Sequence, residues 1–156
     1  MEVNIREGKR SDLPIILDLI KELAHYEKAL DKVLIKLEDL EKDGFGEHPL
    51  YWILVAEVNK EIIGMSFYYI RYSTWNGKSL YLEDFVIKEK YRQKGIGSLL
   101  FKETIKVAKK INANSMNWQV LNWNIPAINF YKKFNAELKK EWMNGAFTKS
   151  QLNKLG

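Results

Sequence analysis

Cysteine is absent from the chain, which excludes disulfides, thiolate metal sites and a cysteine nucleophile among its own residues. Histidine is almost as scarce. His25 and His48 stand far apart with no metal-ligand spacing, and His48 before Pro49 reads as loop structure, so no metal is expected. Long apolar runs are missing too. None approaches the ~18 to 20 residues that a membrane span needs, and Met1-Glu2-Val3-Asn4 begins as neither a secretory leader nor a lipidation signal. The expectation is a cytoplasmic protein with no membrane contact. Repeats, low-complexity stretches and linkers are also lacking. With 46% hydrophobic residues in 156, the chain is not a disordered one, and residues 1–156 are expected to form a single domain with a real core.

Negative charge is in deficit, leaving a net charge of +5. Clustered cations would point to nucleic acid, but here pairs such as Lys109-Lys110, Lys132-Lys133 and Lys139-Lys140 are dispersed among helix-period and strand-period residues, as on a solvated face. A polyanionic cofactor uses the excess more economically than a nucleic-acid partner does, and no nucleic acid is expected.

What is present is concentrated between Tyr81 and Gly97, which reads as strand, loop and helix start. Tyr81 to Ile87 has the pattern of a buried strand, and Ser98 to Ile111 carries Leu99, Leu100, Val107, Ala108 and Ile111 at the spacing of an amphipathic helix. Between them, Gly95 and Gly97 let backbone approach a ligand without a Cβ in the way. The helix they open presents unpaired N–H groups and about half a positive charge. Backbone N–H groups from Gln93 to Ser98, Ile96 included, form an anion cradle suited to a pyrophosphate, to which Arg92 and Lys94 add charge, unless Arg92 is a structural brace. The third glycine of a dinucleotide fingerprint and the Gly-Lys-Ser/Thr ending of a P-loop are both missing.

Arg92-x-x-Gly95-x-Gly97, directly after a strand holding Glu83 and Asp84, resembles the acetyl-CoA loop of the GCN5-related N-acetyltransferases. Lys21-Glu22-Leu23-Ala24, Asp43 to Pro49, Tyr81 to Phe85 and Trp123 to Tyr131 are similar to the diamine (spermidine/spermine) N-acetyltransferases, so the resemblance spans nearly the whole chain. It implies an α/β (α+β) GNAT fold: a mostly antiparallel mixed sheet, splayed between its fourth and fifth strands and flanked by about four helices. It also implies acetyl-CoA as co-substrate, a small cationic amine as acceptor, and a homodimer formed through C-terminal strands, where Trp142 and Phe147 are candidate contacts.

Along the chain, Val3 to Arg6 alternates, and Ser11 is positioned to cap a helix that has Pro14 in its first turn and a stripe of Leu13, Ile16, Leu17, Ile20, Leu23 and Ala24. A second helix, roughly Lys36 to Lys42, is expected to stop at Gly44. Tyr51 to Val58 and Ile62 to Tyr72 read as a hairpin around Asn59-Lys60-Glu61, and Asn76-Gly77 as a second tight turn. Ser115 to Leu121 reads as a strand, and Pro126 to Phe134 as a short helix closed by Asn135. Ala136 to Lys154 reads as two strands around Gly145 with a polar tail.

Acetyl transfer needs a bound thioester, an unprotonated amine, an oxyanion site and a proton for the departing thiolate. A primary amine with a pKa near ~10.4 arrives protonated at neutral pH, so a group must take its proton. Glu83 alone reads as a structural ion-pair partner; the resemblance makes it a water-mediated base, with Asp84 holding positive charge nearby. Adjacent strand residues face opposite sides unless a bulge intervenes, so only a bulge brings both acids to one site. Tyr131 alone reads as a core aromatic, and the resemblance makes it the general acid, since a phenol near pKa ~10 is protonated at neutral pH. The resemblance lays the pantetheine arm along Phe85, Val86 and Ile87 and against Asn124, Ile125, Pro126 and Ala127, although Asn124 equally serves as a plain helix cap. An N–H near Phe85 or Val86 supplies the oxyanion site. Around the amine the resemblance places Tyr26, Glu27, Trp75, Asn117, Trp118 and Gln119 beside Glu83 and Asp84.

The spermidine/spermine branch has further acids where this chain has Leu30, Ser73 and Asn122, while Glu27-Lys28 matches the thialysine-acetylating branch. Fewer acids weaken the hold on a distal ammonium, which points to a small amine or amino acid. Two functions follow: an acetyl-CoA-dependent N-acetyltransferase, or a sensor that keeps the acyl-CoA cradle without turnover. Glu83, Asn124 and Tyr131 together favour turnover, because a sensor needs only the cradle.

Overall fold

Segments rich in β-branched and aromatic residues become five strands, and the segments with period near 3.6 become helices around them. The computed structural model describes residues 1–156. By its internal contacts the chain forms two compact units, Met1–Gln119 and Val120–Gly156. The first contains β1 (Asn4–Glu7), α1 (Leu13–Tyr26), α2 (Leu37–Phe45), β2 (Trp52–Val58), β3 (Glu61–Ser73), β4 (Gly77–Ile87), α3 (Ile96–Lys110) and β5 (Ser115–Trp118). Its sheet has the order β1-β2-β3-β4-β5. Neighbours are antiparallel except β4 and β5, which are parallel. Both turn residues between β2 and β3, Asn59 and Lys60, have positive φ, as a two-residue hairpin turn of the strand-matching hand requires. Glu61 therefore belongs to β3 rather than to the turn.

Strand alternation gives the sheet two apolar faces. Leu54, Ile63, Leu80 and Leu82 pack with Ile96, Leu100 and Ala108 of α3. Val55, Met65 and Val86 pack on the opposite side with Leu13, Ile16 and Leu19 of α1 and Leu40 of α2. One polar pair crosses the α3 face, where the Thr104 hydroxyl donates to Ser66 Oγ at 2.8 Å in full burial. Arg6 ties β1 to its surroundings. Its guanidinium lies 2.7 Å from Asp12 and 2.8 Å from Glu57, and this pairing holds both carboxyls below their ordinary range.

Four local expectations are corrected. Asp12, not Ser11, precedes α1, and its carboxylate accepts from the Lys9 amide at 2.7 Å. Gly44 does not end α2 but lies within it, buried, because a Cβ there would run into the Tyr51 ring. The Tyr51 hydroxyl completes that packing by donating to the Leu40 carbonyl at 2.5 Å. Leu99 is exposed, and the buried face of α3 is Ile96, Leu100, Phe101, Thr104 and Ala108. β5 ends at Trp118 rather than Leu121.

The second unit holds α4 (Ile125–Lys132) and α5 (Lys149–Lys154). Asn124 caps α4 by accepting from the Ala127 amide at 3.4 Å, and Asn135, at φ 58°, turns the chain as a left-handed residue after it. The two strands expected after Ala136 do not form. A strand exists only through a ladder with a partner, and residues 136–148 form none. Thr148 and Gln151 instead exchange side-chain to backbone hydrogen bonds at 3.2 and 2.9 Å and start α5, a fifth helix where about four were expected.

Candidate active site

The two acids of β4 reach one site because the strand is irregular between them. Phe67 of β3 pairs with Asp84 and the next residue, Tyr68, pairs with Leu82, so Glu83 is an extra residue without a partner. Such a bulge interrupts alternation. Leu80 and Leu82 before it, and Phe85 and Ile87 after it, all pack on the α3 side, whereas Val86 packs on the α1 side. Glu83 and Asp84 both line a cavity of about 250 Å³ together with Ile20, Lys32, Val33, Leu34, Ile35 and Phe67.

Burial dominates the electrostatics of this cavity. It pushes the Asp84 carboxyl up to about 7, with help from the negative charges of Glu83 and Glu27. Glu27 is also raised, by burial. Three acids thus converge on a half-buried place where no cation pairs with Asp84, an environment that welcomes an incoming ammonium and disfavours a naked carboxylate. Glu27 is delivered there by the end of α1. The Lys28 amide bonds the His25 carbonyl at 3.0 Å and the Ala29 amide bonds the Ala24 carbonyl at 2.8 Å, a helix stop closed by Lys28 in the left-handed region.

Beyond the bulge the sheet opens. β5 pairs with β4 only from Ser79 to Leu82, so Phe85, Val86 and Ile87 keep their β3 partners but have none on the β5 side. The Ile87 carbonyl is used locally, accepting from Arg92 Nε at 2.8 Å. Arg92 is therefore a brace for the loop, and its guanidinium also lies 5.6 Å from the centre of the Tyr26 ring. Gln93 and Gly95 both have positive φ, 59° and 79°, which turns the chain sharply into α3. Gly95 occupies the N-cap position of α3, and no atom lies within 4 Å of where its Cβ would stand. An unpaired strand edge leading to an open, side-chain-free helix start fits an acyl-CoA: an amide-bearing arm along the edge, a pyrophosphate at the N–H groups of residues 93 to 98.

In the second unit, Asn124 is the cap of α4, with Ile125, Pro126 and Ala127 in its first turn. Tyr131 on the same helix is buried, its ring edge-on to Phe130 at 5.4 Å. The remaining substrate candidates are not gathered at the acids. Trp118 packs edge-on against Phe101 on the α3 side, Asn117 accepts from the Ser79 hydroxyl at 2.5 Å, and Gln119 is exposed. Trp75 is 83% exposed on the β3–β4 turn, whose amides at Trp75 and Asn76 donate to Ser73 Oγ. Sequence reasoning missed Ile20, Phe67 and the wall Lys32-Val33-Leu34-Ile35. The available signal was that last run, apolar residues in a loop between two helices with no element of their own to bury.

Residues 16–136 match the acetyltransferase (GNAT) family. A thialysine N-epsilon-acetyltransferase of Bos taurus is 43% identical over 143 residues, covering 86% of this chain and 84% of that one. The human spermidine/spermine N(1)-acetyltransferase-like protein 1 is 39% identical over 158 residues, 95% of this chain and 23% of that protein. Among solved structures, an integron cassette protein from the mobile metagenome of V. cholerae has a TM-score of 0.77 at 25% identity, covering 99% and 97% of the two chains. The chain belongs to the GNAT family and is an N-acetyltransferase by that membership. No helix is long and apolar enough to cross a membrane.

Proposed function

We propose that the protein transfers an acetyl group to the primary amine of a small cationic substrate, a diamine or polyamine such as spermidine or a thialysine-like amino acid, with its two units acting as one acetyltransferase domain. The observation that carries this reading is the bulge at Glu83, which puts two carboxylates into one cavity beside an unpaired strand edge. The bovine relative's name supports an amino-acid acceptor and the human one's a polyamine. Acetyl-CoA supplies a thioester whose carbonyl carbon the amine attacks directly, forming the C–N bond as the C–S bond breaks. The chain's own residues hold and move protons. Asp84 and Glu27 draw the ammonium in, and Glu83 takes its proton through a water. The acidity of Asp84 favours a second assignment of that step, since a base with a pKa of about 7 is half ionised at neutral pH and can accept the proton itself. Tyr131 holds the proton that the departing thiolate receives. Backbone N–H groups of residues 93 to 98 hold pyrophosphate, and one near Phe85 or Val86 meets the oxyanion.

Thiol release from acetyl-CoA with a panel of diamines, polyamines and lysine analogues tests this. Turnover with at least one of them is expected, and its absence with all of them, while acetyl-CoA still raises the melting temperature, would leave the sensor reading instead. Gly95→Asn serves as the control for the cradle. Asparagine tolerates the left-handed region, so the fold survives while its side chain enters the open space above the loop, and the acetyl-CoA-induced shift in melting temperature should shrink. An undiminished shift would remove the pyrophosphate from this loop.

We further propose that the protein works as a cytoplasmic homodimer. Trp142 and Met143, 76% and 97% exposed, lie in the segment that forms no strand within its own chain and are apolar surface for a second copy to cover. Light scattering at micromolar concentration should give twice the chain mass, and a monomer mass would contradict it.

A further inference from the structure

Lys32 is the only cation among the residues lining the acid-bearing cavity. It sits at the end of a single 3-10 turn, Leu30–Lys32, whose geometry follows from the left-handed stop of α1. After Ala29 bonds back to Ala24, the Lys32 amide bonds the Ala29 carbonyl at 2.9 Å, and the Val33 amide that of Leu30 at 3.1 Å. This fixes the backbone that carries Lys32 and the apolar residues Val33, Leu34 and Ile35 into the cavity wall. By contrast, Lys88 and Lys90 after β4 pair with Glu61, and Lys94 lies over the Tyr91 ring. Lys32 has no side-chain hydrogen bond, ion pair or ring contact. A lysine at the edge of a site with two acids, paired with none of them, is a charge left for a ligand.

We infer that Lys32 sets substrate choice by reading the charge at the far end of the amine. This rests on the acetyltransferase reading above. The cavity combines carboxylates for an ammonium, an apolar wall of Ile20, Val33, Leu34, Ile35 and Phe67 for methylenes, and one free cation. At about 250 Å³ it falls below the roughly 300–1,000 Å³ of pockets for drug-sized ligands, so both ends of a short substrate feel its charges. An acceptor with a carboxylate at its far end pairs with Lys32 while its reacting ammonium lies at Glu83 and Asp84. A diamine or polyamine of the same length presents a second ammonium to Lys32 and is repelled. Lys32 is thus a positioning residue for the carboxylate, and it acts against polyamines as much as for amino acids.

The test compares L-lysine with lysine amide, which loses only the carboxylate charge, and with 1,5-diaminopentane, in wild type, Lys32→Gln and Lys32→Glu. Lys32 is exposed, so the variants keep the fold. In wild type, kcat/KM should favour lysine over both analogues by about fivefold or more. Lys32→Gln should erase that preference and Lys32→Glu reverse it, a total swing of about 10- to 100-fold, carried by KM rather than kcat and weakened at high salt. A lysine-to-diaminopentane ratio that is unchanged across the three proteins would overturn the role of Lys32 while leaving the acetyltransferase reading intact. Failure of wild type to acetylate any of the three, with turnover on other amines in the broader panel, would overturn it too, because the charge pattern would then not describe the acceptor. No turnover on any amine would remove the acetyltransferase reading itself, and this inference with it.

Discussion

Asp84→Asn should unfold at a higher temperature than wild type at pH 8, by an amount on the order of 10 °C, and should be nearly inactive. The stability half follows from where the proton sits. In the unfolded chain the carboxyl ionises near its ordinary 3.8, whereas the fold keeps it protonated up to about 7, first because it is buried and then because Glu83 and Glu27 are negative. Between these values the folded state binds the extra proton, so stability falls as pH rises from about 4 to 7, and the full penalty, up to ~4 kcal/mol, applies above 7. Asparagine keeps the shape and never ionises. Its advantage should vanish near pH 4, where both proteins are neutral at this position, and a domain of this size converts each kcal/mol to about 2–4 °C. Melting curves across pH 4 to 8 check the sign as well as the size. The activity half comes from the same group. If Asp84 must ionise to hold or deprotonate the ammonium, kcat/KM in wild type rises through pH 7 and the variant loses that limb along with a factor of about 10² or more. Survival of the limb in Asp84→Asn would move the proton transfer to Glu83 alone, and Glu83→Gln should then abolish it.

The second large effect is expected at Tyr131→Phe. The side chain is buried on α4 with its ring held against Phe130, so replacing it by phenylalanine removes one O–H and almost no volume. Melting temperature and acetyl-CoA affinity should stay close to wild type. Turnover should fall by ~10²- to 10⁴-fold, the range of a positioned general acid. The direction is chemically reasonable because a phenol near pKa ~10 is only about 1.5 units weaker as an acid than an ordinary thiol near ~8.5, so the proton moves to sulfur at small cost as the C–S bond lengthens. Single-turnover kinetics separate this from product release. Wild-type rates in the variant would reduce Tyr131 to packing.

How far the sequence anticipated these residues depends on which kind of physics fixed them. Gly95 stood out because Arg92 and Gly97 flank it at the spacing that carries the family resemblance, and in the structure it lies in the left-handed region with open space where its Cβ would stand. The β2–β3 turn was legible because Asn59 tolerates positive φ, whereas the second turn occupies 74–76 and Gly77, expected within it, is the first residue of β4, paired with Ser73. Gly44 was misread because local rules see a glycine near a helix end as a stop, whereas its cause is the ring of Tyr51 arriving from outside the helix. Leu99 was expected in the core and is exposed, while Leu19 was not named and is buried, because periodicity alone does not tell which edge of a stripe is covered. The strands after residue 136 were drawn from composition, which cannot supply the partner that a strand requires. Least legible was the bulge. Nothing in Leu-Glu-Asp-Phe says which residue lacks a partner, so the sequence could name both acids but not put them in one cavity, nor foresee that a loop lysine would join them.

That bulge also separates the two acids by origin. With Glu83 removed, Leu82 opposite Tyr68 and Asp84 opposite Phe67 would already form an uninterrupted ladder, with every neighbour on its present side. Asp84 belongs to the regular weave of the sheet, and Glu83 is a one-residue insertion laid into it. A lineage could gain or lose the second carboxylate by a single codon of length without redesigning either core, which makes residue 83 the place where an acid pair and a lone acid are neighbours in sequence space.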